Sequence, residues 1–110
     1  MLTELPAITA CLVRRHPEAG LAPAGPLGEA RCRECRSWLA GRVHGISRAG
    51  RWRPHRFIGE PDRHDAIMRD GRRIIGEPAR AIDTKLAAGN GYPVGDRFSV
   101  ADPYLLAIHR

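Results

Sequence analysis

Three groupings of side chains in this sequence have the types and spacing to do chemistry. The first is Cys32-Arg33-Glu34-Cys35, formally a C-x-x-C. Thiols so spaced serve redox exchange when a strand precedes them and a helix starts at the first cysteine. Here Gly28 to Leu39 reads as one continuous helix, so both thiols sit a turn apart inside it. A structural zinc ion would need a second pair of ligands, yet His44 lies nine residues on and no second C-x-x-C follows. Cys32 and Cys35 therefore read as incidental, and no metal is expected. With Cys11 the cysteines number three, an odd count that suits free thiols in a reducing compartment. The second grouping is Arg48-Ala49-Gly50-Arg51-Trp52-Arg53-Pro54-His55-Arg56. Arginines interleaved with tryptophan can track a phosphate backbone and stack on a base. No nucleic-acid-binding motif accompanies them, and an Arg-rich loop in an Arg-rich chain is the simpler reading. The third is Ser99-Val100-Ala101-Asp102, a capping box in which the Ser99 hydroxyl accepts the N–H of Asp102 and the Asp102 carboxylate accepts the N–H of Ser99. This third grouping reads as structural rather than catalytic.

The elements that carry these groups read as helices, with no convincing strand, so the fold class is all-α. The chain has 110 residues, which on a prior of about 100–200 residues per domain is one small domain. Its 43% hydrophobic and 27% charged residues are globular in composition. Aromatics are only 5%, so the core rests on Leu, Ile, Val and Ala. The net charge of +6 is almost wholly arginine, since Lys85 is the only lysine. No apolar run approaches the roughly 18–20 residues needed to cross a bilayer. Met1-Leu2-Thr3-Glu4 has no basic region ahead of an apolar one. A cytoplasmic chain without a membrane partner is expected.

The first helix is expected from about Thr3 to Arg15, with Leu5, Ile8 and Leu12 on one apolar face and Cys11 beside them. His16 to Gly20 stops it, and Leu21 to Pro26 is a Pro/Gly linker. A second helix runs from about Leu27 to near Ser47, its stripe Cys35, Trp38, Leu39, Val43 and Ile46. Gly41 and Gly45 inside it suggest close approach of another backbone. Gly50 to Gly59 reads as an Arg-rich break. A third segment spans about Pro61 to Ala88, buried through Ile67, Ile74, Ile75, Ile82 and Leu86. Pro78, near Gly76, predicts a kink or two helices there. Gly89-Asn90-Gly91 ends it. The last helix follows the capping box, buries Tyr104, Leu105 and Ile108, and runs to Arg110. His16, His55, His64 and His109 show no ligand spacing.

The order of these motifs resembles the glutathione S-transferase family. Leu2-Thr3-Glu4-Leu5-Pro6-Ala7-Ile8 followed by Leu12 is similar to the stretch that ends that family's thioredoxin-like N-terminal domain. His16 to Pro23 resembles the interdomain linker, and Glu34 to Val43, with Trp38-Leu39, the first long helix of the helical C-terminal domain. Tyr92 to Leu105 resembles the G-x-x-F-S-x-A-D segment, the most specific signature of that domain. The resemblance implies residues 1–20 as the terminal helix of a truncated thioredoxin-like domain, 21–26 as linker, and 27–110 as an incomplete helical domain.

What the resemblance implies chemically is conjugation of glutathione, as co-substrate, to a small electrophile, or glutathione-dependent reduction, in the service of detoxification. Glu4 matches the acid that contacts the γ-glutamyl end, where a cationic amine needs a carboxylate. The family's following serine is Leu5 here, so only the Leu5 backbone N–H can serve. Outside the family context, Glu4 reads as a favourable first-turn acid. His44 matches a bacterial beta-class histidine that points toward the thiol, although Gly45 replaces the neighbouring basic residue. An imidazole there can assist thiolate formation; otherwise it is a polar helix histidine. The residue that activates the thiol, Tyr, Ser or Cys in the family, would lie ahead of Met1, so an inactive fragment is expected. Two other readings stay open: a non-catalytic helical remnant, acting as a dimerisation or binding module, and a basic nucleic-acid-binding protein.

Overall fold

The computed structural model describes residues 1–109, the last by its backbone only. Arg110 and the His109 side chain, which the sequence places at the helix end and among the unliganded histidines, lie outside the described residues. Those residues form helices and turns, with no strand among them. Helix α1 spans Leu5–Arg15, with Pro6 in its first turn and Arg14 and Arg15 in its last. These positions suit a residue without an N–H at the start and cations at the negative end of the dipole. A 3₁₀ turn, Pro17–Ala19, follows and ends at Gly20 in the left-handed region.

The centre of the molecule is one long helical run of three parts. Helix α2 is Gly25–Trp38, beginning two residues ahead of the expected start, with Pro26 in its first turn. It passes directly into a π-helical segment, Leu39–Arg48, and then into the short helix α3, Ala49–Trp52. Gly50, Arg51 and Trp52 are thus helical, and the expected break begins only at Arg53. The π segment also corrects the buried stripe. Bonds from i to i+5 widen each turn, so the face holding Val43 returns at Ser47 rather than at Ile46. Ser47 is fully buried and Ile46 is exposed. The Ser47 hydroxyl donates to the Arg42 carbonyl at 3.1 Å, five residues back.

Helix α4, His64–Ala88, follows a 3₁₀ turn at Pro61–Arg63. It passes through Pro78 as one helix, against the expected interruption. The Pro78 ring is fully buried, and this packing offsets the lost backbone bond. Ile67, Ile74, Ile75, Ile82 and Leu86 are half-buried rather than buried. The close backbone approach occurs at Gly50 and Gly71, where α3 crosses α4. A Cβ on Gly71 would stand 2.5 Å from the Arg51 nitrogen, whereas one on Gly41 would meet nothing within 4 Å. A Cβ on Gly45 would meet only the Ala40 carbonyl of the preceding turn, at 3.2 Å.

The core joins this central run to helix α5, Ala101–His109. Cys32, Cys35, Leu39 and Val43 pack with Val94, Val100, Ala101 and Ile108. Leu21 packs against this cluster, and its carbonyl accepts the Val100 N–H at 2.8 Å, tying the linker to the start of α5. Helix α1 joins through Thr9 and Val13 rather than through its expected stripe. Leu5 is 40% and Leu12 47% exposed, while Thr9 is buried. Arg36 of α2, 4% exposed, pins the two helices. It donates to the carbonyls of Cys32 at 3.3 Å and Pro6 at 3.4 Å, and to the Thr9 hydroxyl.

Candidate functional site

Where the central run turns away from the core, it faces α5 across a cleft of about 350 Å³. His44 at the middle of the π segment and Arg48 at its end look into this cleft, four residues apart. Trp52 closes α3, and Arg53 starts the turn beyond it. Tyr104 and Ile108, one turn apart on α5, form the opposite wall. A cleft of this size suits a small organic ligand. It combines aromatic and apolar surface with an imidazole and two guanidiniums.

Glu4 enters through Tyr104. Burial first, and the Glu4 carboxylate second, push the Tyr104 phenol above its usual range. The Glu4 charge is thus felt at a ring that lines the His44 cleft, although neither Glu4 nor Leu5 lines the cleft itself. Glu4 is not the first-turn acid that the sequence allows. It occupies the N-cap position with its side chain making no cap bond. Its φ of 65° is in the left-handed region, a conformation that costs a non-glycine residue on the order of 1–3 kcal/mol. Its carbonyl accepts the N–H groups of Ala7 and Ile8, each at 3.0 Å. Leu5 is the first residue of α1, and N–H groups in a first turn have no partner within the helix.

The capping groups hold the far wall. Asp102 Oδ2 accepts the Ser99 N–H at 2.8 Å and the Ser99 hydroxyl at 3.0 Å. The Ser99 oxygen accepts from Ala101 at 3.3 Å rather than from Asp102. The Asp102 N–H goes instead to the Ser99 carbonyl at 3.1 Å, a tighter first turn than the sequence implies. The cysteines lie away from the cleft. Cys11 is exposed, Cys32 and Cys35 are buried, and all are free. Burial is the main cause raising the Cys35 thiol, which leaves it a poor nucleophile. Among the described residues no three His, Cys, Asp or Glu side chains gather as metal ligands. None of the helices is long and apolar enough to cross a membrane. His16 pairs with Glu18 at 3.1 Å, and His64 Nε2 lies 3.0 Å from the Ile58 carbonyl.

No family model and no curated sequence matches the chain. Solved structures do. A glutathione transferase homologue from Sulfitobacter, with bound glutathione, superposes at a TM-score of 0.85 with 26% identity, over 98% of this chain and 51% of that one. The chain has a glutathione transferase fold. BphK, a bacterial glutathione transferase in a ternary complex, superposes at 0.81 with 25% identity, over 98% of this chain and 50% of that one. The all-helical chain matches the C-terminal helical domain of the transferase fold and spans about half the length of these relatives. Within that fold, sequence reading missed Tyr104 as a cleft residue, since it reads as one apolar-face residue among others. Arg48 and Arg53 read as part of an Arg-rich loop, in a stretch that the transferase resemblance puts near the electrophile's pocket or the dimer partner. The signal that could have found the wall was the Tyr104–Ile108 spacing, one turn on α5.

Proposed function

We propose that this chain forms the helical side of a glutathione-dependent transferase site of the beta-class type. The division of the chain would be residues 1–20 from the end of a thioredoxin-like domain, 21–26 as linker and 27–110 as helical domain. The Glu4 carboxylate would hold the γ-glutamyl amine of glutathione, and the Leu5 N–H its carboxylate. His44 would donate to the sulfur and so favour the thiolate, the nucleophilic form. The cleft beyond His44 would take a small electrophile, for conjugation or reduction. The free, buried thiols suit the reducing cytoplasm. One observation carries the reading: His44 lines a cleft of ligand size together with Trp52, Tyr104 and two arginines. The bound glutathione of the Sulfitobacter homologue supports the ligand class.

The family's thiol-activating residue has no match among these 110 residues, so binding is the readout rather than turnover. Calorimetric titration with reduced glutathione should give saturable heat from the parent chain and none from Glu4→Ala. His44→Ala should retain binding but leave the bound thiol with an unshifted titration. A folded, monodisperse parent that gives no heat would sink the reading.

A second reading, a non-catalytic helical module that pairs with another copy, is favoured by one feature. Leu5 and Leu12 of α1 lie exposed, as does Leu2 ahead of the helix, and exposed apolar side chains can serve pairing where they form one patch. Nucleic-acid binding gains nothing comparable: the Arg51 guanidinium, 4.8 Å from the Trp52 ring centre, takes one face of that ring, and no nucleic-acid-binding motif accompanies the pair.

A further inference from the structure

We propose that the cleft between the π segment and α5 selects an organic carboxylate with an apolar body. Arg48 and Arg53 take the carboxylate, and Trp52 and Ile108 take the body. The inference rests on the proposed function only for the ligand's role as second substrate; the binding stands on the cleft itself.

The charge arrangement carries the argument. Among the described residues, those lining the cleft include His44, Arg48 and Arg53 and no aspartate or glutamate. The ion pairs among the described residues are His16–Glu18, Arg42–Glu77 and Arg73–Asp70. Neither Arg48 nor Arg53 is in them, and neither side chain takes part in the side-chain hydrogen bonds among the described residues. Two guanidiniums that line one cleft, with no acid among its described residues, repel one another. An anion between them removes that repulsion. A guanidinium presents its donors as a planar fork that fits a carboxylate with two parallel bonds.

Position and shape narrow the ligand further. Arg48 is half-buried at the end of the π segment, so part of its hydration is already gone before a ligand arrives. On its other side lies a second cleft of about 390 Å³, with walls from Val43, Ile75, Ile82 and Leu105. The two clefts share Arg48, Trp52 and Ile108. The second cleft is lined by Asp83 as well as by Arg51, whereas the first has cations and no acid among its described lining residues, so an anion is better served on the His44 side. The carboxylate therefore belongs on the His44 side, with the body lying over Trp52 and Ile108. A neutral apolar electrophile would fill the same volume and leave both guanidiniums without an anion. The chain's net charge of +6 adds a general attraction for anions.

The test uses the full chain and a matched pair of probes, 2-naphthoate and its neutral carboxamide, with binding followed by tryptophan fluorescence at low, fixed salt. The acid should bind about tenfold more tightly than the amide, the factor that one charge-assisted contact supplies. Arg53→Gln, at an exposed position, should weaken the acid more than the amide and bring their affinities to within about threefold. Arg48→Gln should do the same, and Arg69→Gln, away from the cleft, should not. Saturating reduced glutathione should leave naphthoate bound. Equal affinity for acid and amide would overturn the proposal, as would an unchanged preference in Arg53→Gln. Competitive displacement of naphthoate by glutathione would also overturn it, because the guanidiniums would then serve glutathione itself. A naphthoate preference in a chain that gives no heat with glutathione would defeat the transferase reading and leave this one standing.

Discussion

Arg36 and Cys35 are one residue apart on α2, and both depend on burial for what they do. The Arg36 guanidinium is buried without a carboxylate, and carbonyls and a hydroxyl satisfy it instead. Replacing it by methionine keeps the stem and removes the bonds that hold α1 on α2. The expected loss is about 1–3 kcal/mol, read as a lower urea midpoint. Cys35 works through its proton. Burial holds its thiol above the ordinary value, so the unfolded chain ionises first as pH rises. Stability is therefore full below the ordinary thiol range, about 8.5, and falls as pH climbs through and beyond it. Cys35→Ala should flatten that decline in urea midpoints measured between pH values of about 7.5 and 9.5. In the parent at neutral pH, an aromatic disulfide reagent should label Cys11 quickly and the buried pair only on unfolding. None of the Arg36 arrangement is legible in the sequence, where it is one arginine among many. The periodicity that marks Cys35 as buried is legible, because Cys35, Leu39 and Val43 recur at helical spacing.

Among the elements, the central run shows where reading by period stops. Hydrophobic spacing locates α2 and its buried face, but it does not carry the size of the hydrogen-bonded ring. The Ala49 N–H reaches the His44 carbonyl, five residues back, and nothing in the side-chain pattern marks that step. The consequence is a reversal at two adjacent positions. Ile46→Ser, at an exposed site, should change stability by less than about 0.5 kcal/mol. Ser47→Leu should cost on the order of 1–3 kcal/mol through overpacking. Continuous α-helix makes the opposite prediction, so thermal melts of the two variants decide between the geometries. The α3–α4 crossing is a second case. Gly71 sits inside a helix and reads as a weak point, yet the Arg51 backbone occupies the space a side chain would need. Gly71→Ala should lower stability by about 1–3 kcal/mol, although alanine is the better helix former by about 1 kcal/mol. The stop at Gly89 and the acid–amide bond of Ser99 and Asp102 were legible because they depend on residue type within a few positions. Pro78 was misread because its compensation comes from tertiary packing.

For the whole molecule, the fold was legible from the order of the motifs, while its exposed surfaces were not. The Cα radius of gyration is 15.8 Å, against about 13 Å for a compact domain of this length. The extents of 52 × 37 × 21 Å describe a flat body, and a flat body leaves apolar side chains at its faces. Leu5 and Leu12 are exposed along α1, and Leu2 ahead of it, because α1 turns Thr9 and Val13 toward the core. The helical period gives this stripe as a buried face, and the structure gives the buried role to the neighbouring one. Two copies pairing through the stripe would cover it, so self-association is expected to depend on concentration. Sedimentation equilibrium should show a monomer–dimer equilibrium that Leu12→Glu weakens by about tenfold or more, the factor for one leucine taken from water and lost again. Glutathione heat should persist in that variant, since Leu12 is two turns from Glu4 and outside the cleft. A parent chain that stays monomeric at every accessible concentration would leave pairing without support and the cleft as the one surface argued to recognise a ligand.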